Sequence, residues 1–89
     1  MITLGFSTHR LEVLKEAEEL MRHHTVIALE EPPHPHFEAM LRGEMPIEDY
    51  LEASEYEFPR FAEACCRLYR TLSEEGKRFL QVDPYMEQL

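Results

Sequence analysis

The chain has 89 residues, 44% of them hydrophobic and 30% charged, with a formal net charge of −9, which is the composition of one small globular domain. An excess of nine negative charges argues against nucleic acid and against an anionic membrane surface as partners, since both are held by clustered Lys and Arg. No apolar run approaches the length of about 20 residues that a membrane helix needs, and the first residues lack the basic and apolar segments of a secretory signal.

Ile2 to Phe6, interrupted by Gly5, reads as a first strand. Ser7 or Thr8 is placed to cap the helix that follows. From Leu11 to about His23 the apolar positions Leu11, Leu14, Ala17 and Met21 fall at helical spacing. Glu18 stands four residues before Arg22, which predicts an ion pair on the solvent face. His23 and His24 suit the negative end of the helix dipole as a cap better than they suit a metal.

The second strand spans Thr25 to Glu30. Val26-Ile-Ala-Leu29 carries no charge, as expected of a parallel strand buried on both faces. Its polarity then changes abruptly into Glu30, Glu31, His34 and His36, set among Pro32, Pro33 and Pro35. The prolines forbid a continuing ladder. Pro35 is expected to open a short helix that Gly43 stops, with Phe37, Met40 and Leu41 inward. Pro46 is expected to open a second helix with Ile47, Tyr50 and Leu51 on its apolar side. A longer helix is expected from about Pro59 to Glu75, with Phe61, Cys65, Leu68 and Leu72 along one stripe and Gly76 beyond its end.

Adjacent cysteines on a helix cannot form an ordinary disulfide, so Cys65 and Cys66 read as reduced helix-face thiols, Cys65 inward, in a cytoplasmic protein. Lys77 to Val82 reads as the third strand, ended by Asp83-Pro84. The residues after Pro84 read as the first turn of a further helix.

The order β-α-β-α-α-α-β predicts an α/β fold: a small three-stranded parallel sheet with flanking helices and right-handed crossovers. Strand one is expected in the middle, in the order 2-1-3, if the two crossovers lie on opposite faces. Residues 1–89 read as a single α/β domain, part of a larger fold or assembly, because three short strands cover little apolar surface. Each large side chain left in water forfeits about 1.5–3 kcal/mol. A homo-oligomer, or a missing C-terminal remainder, is therefore expected, with the sheet edge or the Phe61–Leu68–Leu72 stripe as the interface.

In a parallel sheet the three strand ends share one edge, where ligands of open α/β sheets bind. Ser7, Thr8 and His9 arrive there from strand one, Glu30, Glu31, His34 and His36 from strand two, and Asp83 and Tyr85 from strand three. His9, Glu30, His34, His36 and Asp83 form a candidate ligand set for a divalent metal (Zn, Mn, Fe or Ni), because imidazole and carboxylate suit these ions. Alternatively, His9 is a general base and Glu30 its orienting carboxylate. The plainer reading is that polar residues collect at strand ends because loops are solvated.

Gly5-Phe-Ser-Thr-His9, a helix, and then Val26-Ile-Ala-Leu-Glu30 resemble the start of the erythromycin-esterase, ChaN-like and TraB/Tiki superfamily. The nearest branch has the pattern Gly-Glu-x-Thr-His, matched at Gly5, Thr8, His9 and Glu30. Phe6 stands where that branch keeps a Glu, so a site built on that Glu is in doubt. The resemblance covers residues 2 to 33 and implies a hydrolase-like domain with His9 and Glu30 in its site and a small molecule as substrate. The alternative expectation is a non-catalytic interaction or oligomerisation module.

Overall fold

A computed structural model describes residues 1–6 and 8–83. In chain order the elements are β1 (Ile2–Leu4), α1 (Val13–Arg22), β2 (Val26–Glu30), α2 (Phe37–Leu41), α3 (Ile47–Ser54), α4 (Pro59–Glu74) and β3 (Arg78–Val82). The fold is α/β, with one parallel sheet of three strands and four helices.

The strand order is β1-β2-β3, which corrects the expectation that strand one lies centrally. Ile2, Ile27 and Phe79 stand side by side in register, as do Leu4, Leu29 and Gln81. The most apolar strand takes the middle, where Ile27, Ala28 and Leu29 are all buried. Both crossovers step in the same direction. If both are right-handed, their helices must lie on the same face, and α1 does pack against α4.

One hydrophobic cluster fills the space between sheet and helices. Ala17 and Met21 of α1, Ile27 and Leu29 of β2, and Phe79 of β3 meet Met40, Tyr50, Phe61, Tyr69 and Leu72 from the other helices. Phe61 and Leu72 are thus core residues and Leu68 packs against them. The stripe expected to form an interface is covered by the chain itself, because α2 and α3 supply apolar surface that the three strands lack. Ala28 is buried but lies outside this cluster, since alternate residues of a strand point to opposite faces.

Polar contacts fix the helix ends. At the end of α4, Gly76 N–H bonds to the Ser73 carbonyl and Lys77 N–H to the Leu72 carbonyl. This pairing requires a left-handed residue between helix and strand, and Gly76 supplies it at φ 102°. Glu18 pairs with Arg22 at 2.9 Å as expected. The cap of α1 differs from expectation: Lys77 Nζ donates to the carbonyls of Arg22 and His24 at 3.2 and 2.8 Å, so a distant lysine does what His23 and His24 were expected to do. At the other end of α1 no side chain caps the helix. Thr8 does not serve there, and Ser7 lies outside the described residues. The short helix begins at Phe37, after a turn through Pro35 and His36, two residues later than expected.

Candidate functional site

β2 ends at Glu30, and the next residue turns at once, with Glu31 N–H bonded to the Leu29 carbonyl at 2.9 Å. Ile27 and Leu29 face the helices, so by the two-residue period of a strand Glu31 faces them also and Glu30 does not. The Glu31 carboxyl sits half-buried between the sheet end and the helical layer.

Three polar side chains and one backbone N–H organise it. His34 N–H donates to Gln81 Oε1 at 2.7 Å. This orients the amide, so that Nε2 donates to Glu31 Oε1 at 2.9 Å and to the Tyr50 hydroxyl at 3.2 Å. The Tyr56 hydroxyl donates to Glu31 Oε2 at 3.3 Å and lies 3.4 Å from the Tyr50 hydroxyl. With Tyr50 accepting from Gln81, its own proton is available to Tyr56, so the donors run in one direction, from Tyr50 through Tyr56 to the carboxylate. Burial pushes the Glu31 carboxyl above the ordinary carboxylate range, and the bonds from Gln81 and Tyr56 pull it partly back. Desolvation wins because it acts on the whole carboxylate, whereas each bond comes from a neutral donor.

Glu31 is on the wall of a cavity of about 250 Å³. Phe6 and His9 enter it from the end of β1, Glu30 and Glu31 from β2, and Tyr56, Glu57 and Phe58 from the segment before α4. Phe61, Ala62, Cys65, Cys66 and Tyr69 close it from α4. His9 is stacked on Phe58 with ring centroids 4.2 Å apart and meets Phe61 edge-on at 5.3 Å. Phe6 meets Phe61 edge-on at 5.2 Å. Gly5 lets the Glu30 carboxylate come in close, since a Cβ there would stand 2.6 Å from Glu30 Oε2 and the carboxylate would have to move aside. The Glu30 carboxylate thus lies over the backbone at the end of β1.

Both thiols are buried, and burial pushes each up to about 12. They stay protonated at neutral pH and line the cavity as small apolar groups rather than nucleophiles. Cys66 points inward along with Cys65, which the single stripe assigned to α4 did not include.

Of the five residues proposed as a metal set, His9 and Glu30 line the cavity, while His34, His36 and Asp83 do not. The strand order accounts for the separation: β1 and β3 are on opposite sides of β2, with each neighbouring pair about 4.8 Å apart. The His34 ring lies edge-on to Tyr50 at 5.1 Å, and its Nδ1 accepts from the His36 N–H at 3.1 Å. Among the described residues no group of three or more His, Cys, Asp and Glu side chains could hold a metal ion. The donor set therefore does not fit a metal centre, and no step below passes through one. Tyr85 lies outside the described residues.

Tyr50, Tyr56 and Gln81 were not singled out from sequence. For Glu31 a usable signal existed, the parity with Leu29. For Tyr50, Tyr56 and Gln81 none did, because they meet Glu31 only after α3 and β3 are in place.

No protein-family profile and no solved structure matches the chain. It is similar to an uncharacterised protein of Archaeoglobus fulgidus, 25% identical over 84 residues. That match takes in 94% of this chain and 30% of the archaeal protein, so the chain spans under a third of that relative's length.

Proposed function

We propose that this domain is hydrolase-like and acts on a small organic molecule held in the cavity at the carboxyl edge of its sheet, with Glu31 as the general acid–base. The observation that carries this reading is the state of Glu31. It is a half-buried carboxyl on a cavity wall, raised above the ordinary carboxylate range by desolvation and oriented by Gln81 and Tyr56. A carboxyl made more basic in this way is better suited to take a proton and return it. In an ester hydrolysis Glu31 would accept a proton from the water whose oxygen attacks the acyl carbon, then pass it to the departing alkoxide. His9, stacked on Phe58, would border the substrate, and Glu30 would lie beside it.

General acid–base catalysis contributes about 10²–10⁴-fold. Across a panel of chromogenic esters and amides, Glu31→Gln should lower kcat/KM at least about 100-fold and flatten the acid limb of the pH profile. Cleavage unchanged in Glu31→Gln, or no cleavage of any member of the panel, would overturn the assignment.

A second reading concerns assembly and comes from the sheet. No described helix other than those on the Ile27–Leu29 side is available to cover the opposite face, where Leu80 is 40% exposed and Val26 and Val82 are partly exposed. Parallel sheets are ordinarily covered on both faces. We read this face as the surface through which two copies associate. Buried unpaired thiols suit a reducing compartment, and the reading places the protein in the cytoplasm.

A further inference from the structure

The lining of the cavity is aromatic and acidic. We infer that its ligand is an organic cation, an amine carried on an apolar or aromatic arm. The inference rests on the cavity being the substrate site and adds to that the class of molecule it takes.

Three features support it. The walls present Phe6, Tyr56, Phe58, Phe61 and Tyr69, whose ring faces attract a positive charge. Among the described residues the carboxylates on them are Glu30, Glu31 and Glu57, and no Lys or Arg lines them. The side-chain carboxylates of Glu30 and Glu57 have no ion pair with any described arginine, all four such pairs lying elsewhere. An ammonium group would find its counter-ions already in place, with no described lysine or arginine on the wall to displace and His9 the one imidazole beside it.

One feature opposes a cation. The N-terminus of α4 is beside the cavity, and a helix N-terminus carries roughly half a positive charge that fades within the first turn. Up to three carboxylates face it, so the net field at the cavity favours a cation. Size narrows the class further. A cavity of about 150 Å³ is enough for a benzene ring, so about 250 Å³ admits a ring together with a short aminoalkyl arm. In that pose the ring would lie among Phe6, Phe61 and Tyr69 and the ammonium would lie toward Glu31 and Glu57.

Calorimetric titration with three probes of one shape decides the matter: phenethylamine as cation, 2-phenylethanol as neutral and phenylacetate as anion. The amine should bind at least tenfold more tightly than the alcohol, and the carboxylate should not bind measurably. Glu57→Gln, an exposed change with no role in folding, should weaken the amine several-fold and leave the alcohol unaffected; Glu31→Gln should do the same. Equal binding of amine and alcohol, or preference for the anion, would overturn the inference while leaving the cavity as a small-molecule site. Binding of none of the three would also overturn it, and the ester and amide panel would then judge the hydrolase reading separately.

Discussion

At the scale of single residues, Glu31 concentrates the tension in this molecule. Its carboxylate accepts hydrogen bonds on both oxygens yet titrates high, because desolvation outweighs those bonds. The consequence for stability has a definite sign. A group whose folded pKa is raised contributes stability below the ordinary carboxylate range and loses it as pH rises through the folded value. Glu31→Gln removes the charge and keeps the shape. Its melting temperature should therefore exceed that of the wild type near pH 7, and the difference should close as pH falls below the ordinary carboxylate range. Thermal unfolding of the two proteins across this range checks it, and an offset independent of pH would contradict it. A variant that gains stability as it loses activity is the pattern expected of a strained functional residue.

At the scale of elements, one long side chain ties α4 to α2 and to the segment before α3. Arg70 of α4 donates through Nε to the Met40 carbonyl at 2.9 Å and through Nη2 to the Met45 carbonyl at 2.7 Å. It thereby adds a second donor to the Met40 carbonyl, which also accepts from the Gly43 N–H at 3.1 Å, and fixes the segment leading into α3. Bonds from a charged donor are worth about 1.5–3 kcal/mol each where they are shielded from water. Arg70→Ala should destabilise the fold by about 2–3 kcal/mol, read as a lower urea midpoint at unchanged slope. Arg70→Lys should recover only part of this, since an ammonium cannot reproduce the planar fork. By contrast the exposed pairs Arg42–Glu44 and Arg67–Glu63 should contribute little, because water screens both partners.

At the scale of the whole molecule, the two-layer arrangement governs assembly. The four described helices share the core on one side of the sheet, and the other side presents Leu80 on the edge strand beside Ala28, with Thr3 beyond it. A two-fold pairing of this face would bury what a single copy leaves wet. Sedimentation at micromolar concentration should show a dimer, and Leu80→Lys should give a monomer whose cooperative unfolding is retained. A wild type that sediments as a monomer would remove this reading without touching the cavity.

Much of the fold was legible in the residue pattern. The uncharged run Val26–Leu29 marked the buried strand, the prolines at 35 and 46 marked two helix starts within one or two residues, and Gly43 and Gly76 marked two ends. These signals are local: a helix or a strand is selected by the period of its apolar residues and by backbone freedom at its ends. The parallel sense of the sheet followed from the helices that stand between successive strands. Strand order did not, because the face on which each crossover lies depends on which helices pack together, and α1 against α4 is a contact between distant segments. The site divided in the same way. Sequence alone brought His9, Glu30 and Glu31 to one edge, since strand ends of a parallel sheet share it. Only the tertiary structure decided that Glu31 faces inward to Gln81, Tyr50 and Tyr56, and that β2 separates His9 from Asp83. The physical reason is that a side chain's burial and its partners belong to the space between elements, and that space exists only once the elements have packed.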